Sequence, residues 1–399
     1  MHWHLLRRSV PAPAKHVYRL TGSGMPYVPL VAAAIAGFSG LLFLPLWVNQ
    51  VVTDYGITES AGGYLAAIEF TAVAVSSFFV STRLARLDGN TAIAAGFCAL
   101  LVGNLLPIPI ESPPVLLLAR LLVGLGAGVV LAYVHAAVAF LPRPDRAFAI
   151  INFSIIAIAV AGYAVALRFI GQFGSAAIFL MMFGISLICF LAALVGGLPN
   201  LQRKVGPAPT RTSLSSDQRR AVLGALAFYI AEGTLWAYII RMGAVSGVSP
   251  DDAGYVLSTT LALGLVGPLL AESISSRIGR TMPLVVTLAC LSLVAWCFGN
   301  ATSSIVYFAA VITLNFAFVF VVIYSSSLLA AMDPSGRLAA KIPGLRTLGN
   351  AAGPWLGAVI LEFFGYGTLG WLVAIVYLAA AMLLLPAARE LDRAAVPVG

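Results

Sequence analysis

Residues 199–220 read PNLQRKVGPAPTRTSLSSDQRR, the longest polar stretch between the apolar runs of the chain. The stretch contains five basic residues and three prolines, a composition typical of a connecting segment. Six apolar runs precede it and six follow it. The sequence therefore predicts two halves of six helices each, joined by one basic linker.

The twelve runs on either side of the linker approach or exceed the roughly 20 residues that a bilayer-crossing helix needs. Turn-forming sequences such as Asp88-Gly89-Asn90 and Asp333-Pro334-Ser335-Gly336 separate them. An all-α membrane protein with twelve transmembrane helices is predicted. The runs are Val28–Val48, Ala61–Ser81, Ala92–Ile110, Val115–Leu141, Ala147–Ile170, Ala176–Leu198, Ala221–Ile240, Ala253–Ala271, Pro283–Phe298, Ile305–Met332, Ile342–Phe364 and Leu369–Pro386.

The runs divide the chain into five parts. The first run is too long for a signal-peptide core and has no convincing cleavage site, so a retained helix is expected. Translation begins at Met1 or at Met25. The expected parts are an N-terminal tail (1–27), an N-terminal six-helix bundle (28–198), the linker (199–220), a C-terminal six-helix bundle (221–386) and a C-terminal tail (387–399).

The composition excludes several classes of protein. Of the 399 residues, 60% are hydrophobic and 10% are charged, whereas soluble proteins carry about 25% charged residues. An ordinary soluble enzyme, a disordered chain and a disulfide scaffold do not fit. Metalloprotease, nucleophile-elbow and phosphate-loop motifs are also absent from the sequence. We therefore expect no enzyme activity, no cofactor and no metal.

The basic residues indicate the orientation in the membrane. Most of the 23 lysines and arginines fall in the two tails, the linker and alternate loops, which the positive-inside rule assigns to the cytoplasm. Both termini are thus predicted to be cytoplasmic, in a bacterial cytoplasmic (inner) membrane. The net charge of +8 then reflects topology and attraction to anionic headgroups, and no nucleic-acid partner is expected. A monomer is the expected assembly.

The two halves also resemble each other in sequence. With an offset of 191 residues, Gly63-Tyr64 aligns with Gly254-Tyr255, and Phe173-Gly174 aligns with Phe364-Gly365. One ungapped offset matches loops to loops from the first outer loop to the end of the fifth run. Parallel repeats of six helices with a solute site at their interface are typical of transporters.

Two six-helix bundles joined by a basic linker resemble the major facilitator superfamily. Its signature loop follows the second run, with a second copy after the eighth. Ser276-Arg277-Ile278-Gly279-Arg280 resembles that copy, with Ser276 in place of the usual acid. The first copy is degenerate. The resemblance implies a conformational latch between the bundles, formed by Arg83, Arg86, Asp88, Arg277, Gly279 and Arg280.

Two further motifs are similar to patterns of that family. In the fourth run, Arg120 is followed by Gly124, Gly126 and Gly128, which resembles a pattern on the helix that the family links to proton coupling. In the eleventh run, Gly353-Pro354 and Gly357 resemble an element that drug antiporters carry in the fifth run. Because this element lies in the other half, symport and antiport both remain open.

Four charges lie inside the apolar runs and away from their outer ends: Glu69, Arg120, Glu232 and Arg346. Each costs something like 2.5–3.5 kcal/mol at the bilayer centre, so each needs a partner or a polar cavity. The expected pairs are Glu69 with Arg120 and Glu232 with Arg346. A carboxyl in such surroundings can change its protonation near neutral pH, which proton coupling requires.

Three more polar or aromatic residues join these charges as candidate solute or proton sites. His135 lies on the helical face of Arg120, Trp236 on that of Glu232, and Asn350 on that of Arg346. The structural alternatives are a satisfied polar contact for His135, snorkelling for Arg346 and a locked carboxylate for each acid. Headgroup or loop contacts are expected for Arg168, Arg241 and Glu362.

The sequence thus predicts a secondary transporter that moves a small organic solute by alternating access, coupled to protons. Two alternatives remain: a drug-efflux proton antiporter and a non-transporting membrane sensor on a transporter scaffold. The identity and charge of the solute and the direction of transport stay open. Arginines in the runs favour an anion, and glutamates favour a cation.

Overall fold

The computed structural model is all-helical over the residues that it describes, which are 27–83, 89–139, 141, 144–197, 214–263, 279–333, 338 and 342–395. Thirteen helices occur among these residues: α1 (Tyr27–Leu42), α2 (Leu44–Asp54), α3 (Glu59–Arg83), α4 (Gly89–Leu105), α5 (Pro113–Ala139), α6 (Pro144–Phe173), α7 (Ser175–Gly196), α8 (Ser216–Val245), α9 (Pro250–Leu263), α10 (Thr281–Asn300), α11 (Ser304–Ala331), α12 (Ile342–Phe363) and α13 (Tyr366–Ala395).

The helices follow the predicted apolar runs, and each run overlaps at least one of them. In the described part of the chain, 8 helices are long and apolar enough to cross a membrane, and α1 with α2 makes a ninth such span if counted as one bent unit. Helix α4 is a shorter apolar helix. The all-α membrane fold is therefore confirmed, while the number of twelve crossings stays a prediction.

The first predicted run is interrupted, because α1 and α2 meet at a bend of 47°. Pro45 lies in the first turn of α2 and has no N–H to donate to the carbonyl of Leu41, four residues earlier. Indole groups bond to the carbonyls beside this break. Trp236 Nε1 donates to Leu41 O at 2.8 Å, and Trp47 Nε1 donates to Gly40 O at 3.1 Å.

The helix positions repeat with the same offset of 191 residues as the sequence. Helix α3 begins at Glu59 and α9 at Pro250, while α5 begins at Pro113 and α11 at Ser304. These two starts in the first half shift onto the starts of their counterparts. The sequence repeat therefore corresponds to a repeat of helices.

Contacts within and between the halves position the candidate site. Within the halves, α3 packs against α5, α8 against α12, and α10 against α13. Between them, α3 contacts α12, α2 contacts α8, and α6 contacts α9. Large apolar side chains such as Phe78, Val195 and Met382 are exposed on the surface, as expected where lipid is the solvent.

Candidate functional site

Glu69 on α3 and Arg120 on α5 form an ion pair, as the sequence predicted. Arg120 Nη1 lies 3.3 Å from Glu69 Oε2, and the two side chains are 0% and 1% exposed. Removing one partner of such a pair leaves an uncompensated charge in the interior, which is strongly unfavourable. The pair is therefore held in the packed core, out of contact with lipid.

The rest of the Arg120 environment is polar on one side and aromatic on the other. Arg120 Nη2 donates to Asn104 Oδ1 at 3.1 Å, and it lies 3.4 Å from the carbonyl of Gly103. The guanidinium carbon is 5.3 Å from the ring centre of Trp47 and 4.9 Å from that of Phe179. Among the described residues, Arg120 Nε and Asn104 Nδ2 have no hydrogen-bond partner, so the site retains unused donors.

The glycines that follow Arg120 bring α5 close to α3. A Cβ on Gly124 would lie 2.8 Å from Ala72 Cβ and would overlap the backbone of Glu69. A Cβ on Gly128 would overlap Ser76 and Val73. The motif glycines thus set the helix separation at which the carboxylate of Glu69 reaches Arg120.

Glu232 on α8 is bound differently from the prediction. Its Oε2 accepts a hydrogen bond from the hydroxyl of Tyr377 on α13 at 3.0 Å, and the residue is 9% exposed. The predicted ion pair with Arg346 is wrong, because the ion pairs of the described residues include neither Glu232 nor Arg346. The guanidinium of Arg346 instead lies 5.9 Å from the ring centre of Phe318.

Packing between α8 and α12 explains why these two residues do not pair. Gly349 lies against Tyr229, and Gly353 lies against Ile230 and Thr234. In this register Glu232 is level with residues just before Gly353, about six residues beyond Arg346. At 1.5 Å per residue, the two positions differ by about 9 Å along the helices.

His135 lies between two aromatic rings. Its ring centre is 6.3 Å from that of Phe38 and 6.1 Å from that of Phe148. His135 Nδ1 is 2.7 Å from the carbonyl of Leu131, which favours a proton on that nitrogen. The charge of Arg346 acts on His135 of the first half and on Glu232 of the second, although it forms no ion pair with Glu232.

The other predicted solute residues are packing and contact positions. Trp236 joins the halves through its bond to Leu41, and Asn350 is half-buried with its Cα beside Gly233. A Cβ on Gly357 would overlap the ring of Tyr238. Together with Gly353, Gly357 therefore supports close packing of α12 on α8.

The predicted latch residues are only partly described. The guanidinium of Arg83 lies 3.7 Å from the ring centre of Phe79, while Arg86, Asp88 and Arg277 lie outside the described residues. Gly279 has a φ of 73°, which favours glycine. Arg280 Nε donates to Ser327 Oγ at 3.1 Å, which keeps this contact within the C-terminal half.

An acid that the sequence did not indicate binds the signature loop after the eighth run. The carboxylate of Asp392 on α13 accepts the backbone N–H groups of Arg280 and Thr281 at 2.8–3.1 Å. The N–H groups at the start of a helix such as α10 have no acceptor within the helix, so a carboxylate at this position is stabilising. A Cβ on Gly279 would lie about 2.9 Å from this carboxylate, so glycine also suits the available space.

The structure contains an ionic contact between the halves that the sequence did not indicate. Arg241 Nε donates to both carboxylate oxygens of Glu59 at 2.9 Å, and the Tyr366 hydroxyl donates to Glu59 at 2.8 Å. We call these three residues the outer contact, since each lies in or beside a predicted outer loop. Tyr64 also donates to Glu362 at 2.6 Å. Arg241 and Glu362 thus contact residues near the start of α3, beside the first predicted outer loop.

The chain is similar to known proteins over most of its length. The family model described as Major Facilitator Superfamily matches residues 30–347. No curated protein matches the sequence. Among solved structures, the nucleoside transporter NupG is 13% identical, with a TM-score of 0.69 over 90% of this chain and 98% of that one.

Two other solved structures share the fold. The POT family transporter PepTSo is 12% identical, with a TM-score of 0.70 over 92% of this chain and 98% of that one. The human organic anion transporter MFSD10 is 16% identical, with a TM-score of 0.62 over 90% and 97% of the two chains. At these identities the likeness establishes the fold alone.

Proposed function

Because the chain belongs to the Major Facilitator Superfamily, we propose that it moves a small organic solute by alternating access and couples this movement to protons. The chain is a multi-pass integral membrane transporter and not an enzyme. The similar structures include nucleoside, peptide and organic anion transporters, which supports a small organic solute.

The buried pair of Glu69 and Arg120 is the observation that carries the coupling proposal. A carboxyl that is 1% exposed and faces a single guanidinium changes its interaction strongly when it gains a proton. Protonation removes the charge of Glu69 and leaves Arg120 with neutral partners: Asn104, a backbone carbonyl and two aromatic rings. The pair therefore offers two electrostatic states inside the N-terminal bundle.

Helix α3 provides a mechanical connection from this pair to the interface. It carries Glu69 in its interior and Glu59 at its start, and it packs against α12 of the other half. Helix α8 similarly carries Glu232, Trp236 and Arg241. Both proposed coupling carboxyls thus lie on the helices that hold the outer contact, so a change at either acts on the closure of that side.

The proposal includes the predicted topology. Two six-helix bundles, 28–198 and 221–386, rock about a central site, with both termini and the linker in the cytoplasm. The distribution of basic residues supports this orientation in a bacterial inner membrane. We propose that the latch residues of the loops after α3 and before α10 stabilise one of the two conformations, and that the protein acts as a monomer.

Transport by the full-length protein in liposomes tests the coupling. The vesicles are exposed to a defined mixture of nucleosides, dipeptides and aromatic acids, with and without an inwardly directed proton gradient, and their contents are measured by mass spectrometry. We expect gradient-driven accumulation of at least one solute. Reversing the gradient distinguishes antiport from symport.

Two neutralising variants and one control identify the coupling residue. Glu69→Gln or Glu232→Gln should abolish the effect of the gradient while solute exchange without a gradient continues. Glu390→Gln is the matched control, because Glu390 is an exposed acid near the end of α13. If both interior variants keep accumulation at the level of the unaltered protein, the coupling assignment is wrong.

A further inference from the structure

Among the described residues, Arg346 is the cation of the candidate site that forms no ion pair with a carboxylate. Arg120 is already paired with Glu69 inside the first bundle, so that pair has no charge left for a solute. Glu232 is held by Tyr377 on α13, and the ion pairs found among the described residues do not include Arg346. The guanidinium of Arg346 can therefore form a charge-assisted pair with a bound ligand.

The surroundings of Arg346 come from both halves of the chain. Arg346 lies on α12, which packs against α3 of the first half and α8 of the second, and its charge also acts on His135 of the first half. Arg346 is half-buried, so its side chain is neither sealed in the core nor fully in solvent. A group bound here would touch both bundles, which a transported solute must do.

Aromatic rings line the same region. Phe318 lies 5.9 Å from the guanidinium of Arg346 and stacks at 5.9 Å and 22° on Phe228. On the opposite half, Phe38 and Phe148 flank His135. Such rings bind apolar and aromatic bodies, while a single guanidinium selects the charge of the group attached to them.

We propose that this region binds a small organic carboxylate with an aromatic or apolar body. The carboxylate pairs with Arg346. It does not bond to His135 Nδ1, because the proton on that nitrogen is donated to the carbonyl of Leu131. The body of the solute lies among Phe38, Phe148 and Phe318. This inference rests on the proposed transport function, since it names the solute class of the same site. The planar guanidinium can hold both carboxylate oxygens at once, which a lysine cannot.

A binding experiment on the detergent-purified full-length protein tests the solute class. The probes are two isosteric triples: benzoate, benzamide and benzylamine, and phenylacetate, phenylacetamide and phenethylamine. Binding is measured by thermal shift and by quenching of tryptophan fluorescence. We expect each carboxylate to bind about 10-fold or more tightly than its own amide and amine, because only the carboxylate forms a charge-assisted hydrogen bond with Arg346.

Three variants separate the role of Arg346 from a general effect of charge. Arg346→Gln should reduce carboxylate affinity by about 10-fold or more, and Arg346→Lys should retain part of it. Arg168→Gln is the matched control, because Arg168 is an exposed arginine on α6. If Arg346→Gln does not fold, the ranking of the probes on the unaltered protein and the result for Arg346→Lys still decide the matter.

Several results would overturn the inference. It is wrong if an amine or amide binds as tightly as its carboxylate, if no carboxylate binds, or if Arg346→Gln keeps full affinity. Because binding is measured without a gradient, its outcome is independent of proton coupling. Selective carboxylate binding together with gradient-independent transport would refute the coupling proposal alone, whereas gradient-driven transport of amines would refute the solute class alone.

Discussion

Neutralising Glu59 should open the side of the transporter that the outer contact closes. Glu59→Gln removes the ion pair with Arg241 and weakens the hydrogen bond from Tyr366, while the size of the side chain is preserved. These three residues join the start of α3 to α8 and α13 of the other half. The substitution therefore destabilises the closed arrangement and leaves each bundle intact.

The size of the effect follows from the exposure of the pair. The side chains of Arg241 and Glu59 are 24% and 28% exposed, so solvent screens their attraction less than at a fully exposed site. Fully exposed pairs contribute about 0–1 kcal/mol, and hydrogen bonds to charged groups about 1.5–3 kcal/mol. We expect a loss of about 1–2 kcal/mol, which moves the ratio of closed to open outer side by about 5- to 30-fold.

Distance measurements between the halves give the readout. Spin labels at positions 111 and 251, which are exposed and lie in predicted outer segments of the two halves, are introduced after replacement of the four natural cysteines. Pulsed electron resonance then reports the share of open and closed molecules. In Glu59→Gln the population with the longer distance should rise, while the control Glu390→Gln should match the unaltered protein.

A charge swap provides the decisive comparison. The double variant Glu59→Arg with Arg241→Glu restores opposite charges and should recover part of the closed population, whereas each single change should not. An unchanged distance distribution in Glu59→Gln would refute the reasoning. The reasoning would also be refuted if the double variant opened the outer side as much as the more open of its two single variants.

Three further predictions concern packing and hydrogen bonding. Arg120→Gln should lower the free energy of unfolding by about 3–5 kcal/mol, and adding Glu69→Gln should recover part of it, as denaturation in detergent will measure. Gly124→Ala should cost about 1–3 kcal/mol by forcing α5 away from α3, whereas Gly171→Ala, which faces open space, should be nearly neutral in the same assay. Trp236→Phe should lose the bond across the halves, about 1 kcal/mol, and raise the open outer population several-fold in the spin-label measurement.

The helices and the pair of Glu69 with Arg120 could be predicted from the sequence, because each is marked by a pattern within the apolar runs. Apolar runs bounded by turn residues predict helices, and the offset of 191 residues predicts the repeated starts. Glu69 and Arg120 lie deep in apolar runs, where lipid and solvent cannot satisfy them. Each therefore needs a partner of opposite charge inside the protein, and the two residues can provide this for each other.

The contacts of Glu232 and Glu59 depend on the register between helices and on pairing between residues that are far apart in the sequence. Glu232 and Arg346 looked equivalent to the first pair, but the glycine-mediated register of α8 and α12 separates them, and a neutral tyrosine was an unforeseen partner. Glu59 and Arg241 are 182 residues apart, and headgroups near helix ends could satisfy each of them separately. Only the arrangement of the halves shows that they meet.

The repeat also indicates why the two halves cannot respond alike to a proton. Thr260 on α9 occupies the position that Glu69 has on α3, and Asn315 on α11 matches Gly124 on α5. Asn315 Nδ2 donates to Thr260 Oγ1 at 3.0 Å, so a polar link joins the equivalent helices in both halves. Only the link in the first half is ionic and can be switched by protonation. Since α3 also packs on α12, a change in that link reaches the interface through a helix that belongs to the first half and borders the second.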